Sequence, residues 1–155
     1  MKRRGSVSNW MPVIAWMILI FAGSSDALSA EHTSRFIVPF LHWLDPTMSA
    51  ATIVTVHMMI RKLGHFSEYA ILAALIWRGI RGTLSVSSAL LALSAFFAAA
   101  VFAASDEFHQ SFVPTRTASV HDVMIDCTGA LFAVIVCALF AWRRRAVGVP
   151  ARSSG

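Results

Sequence analysis

The feature that most constrains this chain is the stretch from Val86 to Ser105, which contains neither a charge nor a proline. It is about as long as the 20 residues that a helix needs to cross a bilayer core. Similar apolar blocks occupy residues 10–25, 63–80 and 123–142, and they run continuously rather than alternating at a strand period. Only 14% of the residues are charged, against about 25% in an ordinary soluble domain, and the mean hydropathy is +0.66. Together these observations predict an all-α polytopic membrane protein of four transmembrane helices, organised as one domain over residues 1–155. The formal charge of +5 does not point to nucleic acid. Its excess lies in Lys2, Arg3, Arg4, Arg143, Arg144, Arg145 and Arg152, which flank apolar segments as cytoplasmic anchors do, and no interleaving of basic and aromatic residues suggests base stacking. Cys127 and Cys137 lie ten positions apart on one apolar segment, about 15 Å along a helix. A disulfide needs Cα atoms within about 7 Å, so free thiols are expected.

The first block follows Lys2-Arg3-Arg4 and ends at Ser24-Ser25-Asp26. It is short for a span, and Ser25-Asp26-Ala27 also satisfies the pattern of a signal-peptide cleavage site. Residues 24–45, with Pro39, read as an extramembrane loop. Asp45-Pro46 reads as an N-cap followed by proline at the first helical position, and Met48–Arg61 as an interfacial helix preceding the second span. Basic residues set the expected orientation. With the N-terminus inside, nine lie on the cytoplasmic side, whereas Arg35, Arg61, Lys62 and Arg116 lie outside. Both termini are therefore expected in the cytoplasm.

This topology gathers three polar groups at the outer ends of the spans. Lys62, His65 and Tyr69 share a helical stripe with Glu68 beside it; Asp106, His109 and Gln110 share a face with Glu107 adjacent; Asp122 and Asp126 lie one turn apart, with Gly129 below them. Arg116 stands in the loop between the second and third groups. Five carboxylates against Lys62 and Arg116 leave a formal charge of −3 with histidines neutral. A charge at mid-bilayer costs at least about 2.5–3.5 kcal/mol. Protonation, imidazolium, water, a divalent cation or a cationic ligand group must offset part of the excess. Asp106, Glu107 and Lys62 also fit a plain interfacial-anchor reading. Glu68 and Asp126, each about a turn inside its span, fit an interior polar network better. Gly64 and Gly129 read as close-packing positions between helices, and His57 and His121 as incidental. Glu68, His65, Asp106 and Asp122 are the candidate acid–base groups. His65 and Glu68 alone are a weak metal pair, with no His-Glu-x-x-His motif. Ser67 lacks a nucleophile elbow. These residues assign neither a metal nor a cofactor.

The segments 61–72, 106–116 and 122–129 resemble those of the VanZ-like family of small bacterial membrane proteins. Lys62-Leu63-Gly64-His65-Phe66-Ser67-Glu68-Tyr69 is similar to the family's Lys-x-x-His-Phe-x-x-Tyr, and Asp106-Glu107-Phe108-His109-Gln110 with Pro114-Thr115-Arg116 to its Asp-Glu-x-x-Gln and Pro-Gly-Arg. Asp122 through Gly129 is similar to Asp-x-x-x-Asn-x-x-Gly, and Ser24-Ser25 also fits. Thr115 replaces a common glycine and Asp126 a common asparagine. The resemblance implies that the first block is retained as a span in the bacterial cytoplasmic membrane, and that the protein has a cell-envelope role. The family's namesake is associated with low-level resistance to the glycopeptide antibiotic teicoplanin. The expected partners are the bilayer and an envelope lipid or glycopeptide ligand bound at the outer cluster. An intramembrane enzyme acting on an envelope lipid or cell-wall precursor, and a structural helper of a membrane complex, are the alternatives; oligomeric state is left open.

Overall fold

The computed structural model describes residues 6–25, 30–114, 116 and 118–147. Lys2–Arg4, the Asp26-Ala27 junction, Thr115 and Arg152 fall outside the described residues. The described residues form five α-helices: α1 (Ser6–Gly23), α2 (Ala30–Leu44), α3 (Ala50–Thr83), α4 (Ser88–Gln110) and α5 (Val120–Val147). Serine hydroxyls cap three of the N-termini. Ser49 accepts from the Thr52 amide, Ser87 from the Leu90 amide and Ser119 from the His121 amide, each at 3.2 Å. Each bond satisfies one of the amides a helix start leaves unpaired.

Helix α3 is the hub, packing most extensively on α5, then on α4 and α1, and lightly on α2. Its buried stripe of Tyr69, Leu72, Ala73, Ile76, Trp77 and Ile80 follows the helical period. It meets Ala95, Ala99 and Ala103 of α4, none with any exposed surface, and Ala130, Ala133 and Val134 of α5. Small residues let the helix backbones approach closely, which is how helices associate in lipid, where apolar burial drives little. Gly129 carries this furthest: a Cβ there would stand 2.2 Å from the Phe66 carbonyl oxygen. The outward faces stay apolar, with Ile14 and Ile18 on α1, Phe97 and Val101 on α4, and Ile135 and Leu139 on α5 all exposed. Among the described residues, two helices, α4 and residues 120–145 of α5, are long and apolar enough to cross a membrane, and Val7–Gly23 is a shorter apolar helix. Both cysteines are free and half-buried.

Three expectations about the first half need correction. Residues 30–44 are a helix, not a loop. Phe36, Ile37, Phe40, Leu41 and Leu44 recur at helical spacing, Leu41 is buried, and Phe36, Phe40 and Trp43 are exposed, so α2 is the amphipathic element. Asp45 does not cap α3. Its carboxylate accepts from the Thr47 amide at 2.9 Å and the Thr47 hydroxyl at 2.7 Å, bonds that hold its pKa below the usual carboxylate value. This local turn delays the helix until Ala50. Residues 48–61 are not a separate interfacial helix, because from Ala50 onward they belong to α3, which continues unbroken for 34 residues, about 51 Å. Gly64 is too weak a breaker to stop it, costing only about 1 kcal/mol against alanine.

Candidate functional site

The buried stripe of α4 changes character along its length. Leu91, Ala95, Ala99 and Ala103 give way in the same register to Asp106, Glu107 and Gln110, all buried. On α5, Asp126 is 1% exposed one turn above Ala130. On α3, the stripe that reaches Tyr69 continues to His65. The bundle therefore has an acid-bearing end, formed by the C-termini of α1 and α4, the N-terminus of α5 and the middle of α3.

Four polar ties organise this end. Ser24, just past α1, donates its hydroxyl to Asp106 Oδ2 at 2.6 Å; Gln110 Nε2 donates to the same carboxylate oxygen at 3.1 Å and to Ser24 Oγ at 3.3 Å. His65 Nδ1 lies 3.2 Å from Asp126 Oδ1, with the imidazole 13% exposed. That contact is close but lacks hydrogen-bond geometry, since both atoms remain without a hydrogen-bond partner. Glu107 Oε1 accepts from the Ser119 amide, joining the end of α4 to the cap of α5. At the rim, Lys62 Nζ stands 3.5 Å from Asp122 Oδ1. Asp122 also lies in the first turn of α5, where the helix dipole favours negative charge.

Arg116 does not pair with the carboxylates. Its guanidinium donates to the carbonyl oxygens of Gly23 and Ser25, closing the C-terminus of α1. Burial, and secondarily the neighbouring Arg61, hold its pKa below the ordinary guanidinium value, while Asp106, Glu68 and Glu107 pull the other way. Beside it a cavity of about 170 Å³ is lined by Arg61, His65, Glu68 and Arg116, with Ile37 and Ile60 as an apolar wall. A second cavity of about 220 Å³, between α3 and α5, shares Arg61 and His65 with the first and adds Lys62, Ser119 and Asp122.

The VanZ/LLP1 family model matches residues 9–141. The chain belongs to the VanZ/LLP1 family. No curated protein and no solved structure matches it. The matched range takes in α3, α4 and most of α1 and α5, and with them every residue of the polar end described above.

Among the described residues of this VanZ/LLP1 chain, six buried side-chain polar atoms have no hydrogen-bond partner: His65 Nδ1, Tyr69 Oη, Asp106 Oδ1, Glu107 Oε2, His109 Nδ1 and Asp126 Oδ1. All six belong to residues that the sequence singled out. Tyr69 has no exposed surface, and its strongest charged neighbours are Asp106 and Asp126. The His109 ring packs on Phe21 of α1, with ring centroids 4.2 Å apart and the planes tilted by 31°. No group of three or more His, Cys, Asp or Glu side chains arranged to hold a metal occurs among the described residues. Glu68 and His65 line one cavity wall and can exchange protons with a bound group there. Ser67 is not beside them as a nucleophile; its hydroxyl bonds back to the Leu63 carbonyl at 2.6 Å.

Sequence reasoning missed two contributors. Arg61, one turn before His65, lines both cavities; with it, three cations face five carboxylates, and the formal excess falls to two negatives. Ser24 matched a family pattern, but nothing local linked it to Asp106, 82 positions away. Gly64 also departs from expectation. A Cβ there would meet nothing within 4 Å, because the residue faces the first cavity and not a neighbouring helix.

Proposed function

We propose that this chain is a single multi-pass domain of the bacterial cytoplasmic membrane. Its four spans lie at about 10–25, 63–80, 86–105 and 123–142, and both termini face inward. In this reading the acid-bearing end faces outward and binds a polar group of a lipid-linked or glycopeptide envelope ligand, so that the protein lowers susceptibility to glycopeptides such as teicoplanin. One observation carries the reading: unpartnered buried polar atoms concentrate at one end of the bundle, beside a cavity lined by two arginines, a glutamate and a histidine. Natural structures pair nearly all such atoms, and exceptions point to ligands, ions or chemistry. A cavity of about 170 Å³ is smaller than the roughly 300 Å³ at which drug-sized sites begin. It fits a headgroup or a terminal substituent, with the rest of the ligand in the bilayer or outside it.

Expression in a teicoplanin-sensitive host tests this. The wild type raises the inhibitory concentration, and Glu68→Gln and Arg116→Ala abolish the rise. Unchanged susceptibility for every version would sink the resistance reading. Orientation is checked with an impermeant thiol reagent on single cysteines at residues 31, 82 and 115, in a background where Cys127 and Cys137 are serine. Labelling at 31 and 115 but not 82 is expected; the reverse pattern overturns the outward assignment.

A further inference from the structure

The opposite end of the bundle holds a larger opening, of about 590 Å³, between the N-terminus of α1, the C-terminus of α3 and the C-terminal half of α5. Its rim carries Arg78, Arg81 and Arg144, and its apolar wall includes Trp77, Cys137 and Phe140. Asn9 forms part of its floor. Asn9 is 8% exposed, its carbonyl accepts from Arg78 Nη2 at 3.4 Å, and its amide sits where a Cβ on Gly82 would be, at 2.6 Å. These contacts hold α1 against α3, so the opening is built into the packing of the helices.

Among the described residues, no carboxylate is placed to neutralise these arginines. The nearest acid along α3 is Glu68, ten residues or about 15 Å from Arg78; along α5 it is Asp126, 18 residues or about 27 Å from Arg144. Both distances exceed the screening length of about 8 Å at physiological salt. The opening is also graded in polarity. Ala74 lies one turn deeper than Arg78, Phe140 one turn deeper than Arg144 and Cys137 two turns deeper, so three guanidiniums at the mouth lead into an apolar slot. Phosphate suits the mouth, because guanidinium forks bond its oxygens in pairs. Hydrocarbon suits the slot.

We infer that this opening binds an anionic phospholipid, with its phosphate headgroup on Arg78, Arg81 and Arg144 and the start of its acyl chains against Trp77 and Phe140. The site does not depend on the function proposed for the other end. Basic depressions between transmembrane helices are suited to such headgroups, each arginine adding about 1 kcal/mol near an anionic surface.

Native mass spectrometry of the full-length protein in mild detergent, with dioleoylphosphatidylglycerol or dioleoylphosphatidylcholine added at equal concentration, reads the site directly. The expected result is preferential retention of phosphatidylglycerol, cut about fivefold by Arg144→Gln and barely changed by Arg143→Gln, which removes the same charge from outside the opening. Arg81→Gln, on a different helix, must repeat the loss, which guards against misfolding of one variant. Equal retention of the two lipids overturns the site. So does an equal loss from Arg143→Gln and Arg144→Gln, which would reduce it to diffuse attraction by the basic tail. Displacement of the lipid by millimolar inorganic phosphate would remove the acyl slot from the proposal and refute the lipid assignment.

Discussion

The two ends of the bundle use the same helices in opposite ways. At the arginine end the buried positions are mainly apolar, Ile76, Trp77, Ile80 and Leu91 among them, and the charges stand exposed at the rim. At the acid-bearing end the same stripes continue inward-facing, but with His65, Asp106, Glu107, Gln110 and Asp126 in the register of the alanines and leucines. Helix packing does not require that substitution. Apolar residues of similar volume in place of buried charges are often neutral or stabilising. A cluster of buried acids at one end, with several polar atoms lacking a hydrogen-bond partner, is better explained by what it contacts than by what it holds together.

The largest effect that sharpens this contrast comes from the glycines. Gly129→Ala drives a Cβ into the Phe66 backbone carbonyl and forces α3 and α5 apart just below the polar chamber, a loss of about 3 kcal/mol by denaturant titration in detergent. Gly82→Ala, at the arginine end, meets only the Asn9 amide, which can turn aside, and costs about 1 kcal/mol. Gly64→Ala meets nothing and gains about 0.5–1 kcal/mol from helix propensity, while narrowing the first cavity. If Gly64→Ala destabilised as much as Gly129→Ala, the open cavity wall at residue 64 would be wrong.

Next in size is the coupling between His65 and Asp126. Single substitutions to alanine and the double variant should give an interaction energy on the order of 2 kcal/mol, because Asp126 is buried, the His65 side chain is only 13% exposed, and the two stand 3.2 Å apart. Asp126→Asn keeps an acceptor beside His65 and removes one of the excess negative charges, so it should leave stability within about 1 kcal/mol of the wild type. A coupling below about 0.5 kcal/mol would mean that the 3.2 Å approach has no energetic content and that the acid-bearing end is looser than its geometry implies.

Much of this contrast was legible in residue order, and the remainder was not for identifiable reasons. A charge-free apolar run announces α4, and a run of similar length broken only by Asp126 announces α5, since apolar stretches of that length have few other uses. The spacing of Asp106 and Gln110 foretells their shared face, and the depth of Asp126 within its run foretells burial. These are local signals, carried within one or two turns. Helix α2 was hidden because Pro39 and flanking polar residues speak for a loop, while its apolar period matters only once Leu41 has α3 to pack on. The bond from Ser24 to Asp106 and the seating of Arg116 on the Gly23 and Ser25 carbonyls join segments more than 80 residues apart. Nothing within a helical turn encodes them. Gly64 and Gly129 look alike in sequence, and only the direction each faces distinguishes a cavity wall from a helix contact.

The smallest effect tests where the polar interior stops. Lys62 and Asp122 are oppositely charged and 3.5 Å apart, yet their side chains are 45% and 26% exposed, against 13% and 2% for His65 and Asp126. Water screens the outer pair, and holding a long lysine side chain in one rotamer offsets part of the attraction. A double-mutant cycle on Lys62 and Asp122 should therefore return about 0.5 kcal/mol, falling further as salt is raised from 0.05 to about 0.5 M. The His65–Asp126 coupling, shielded by the bundle, should hardly respond to the same change. A salt-insensitive outer pair as strong as the inner one would extend the polar interior to Lys62. The second cavity, which Lys62 and Asp122 line, would then belong to the interior of the chamber and not to its mouth.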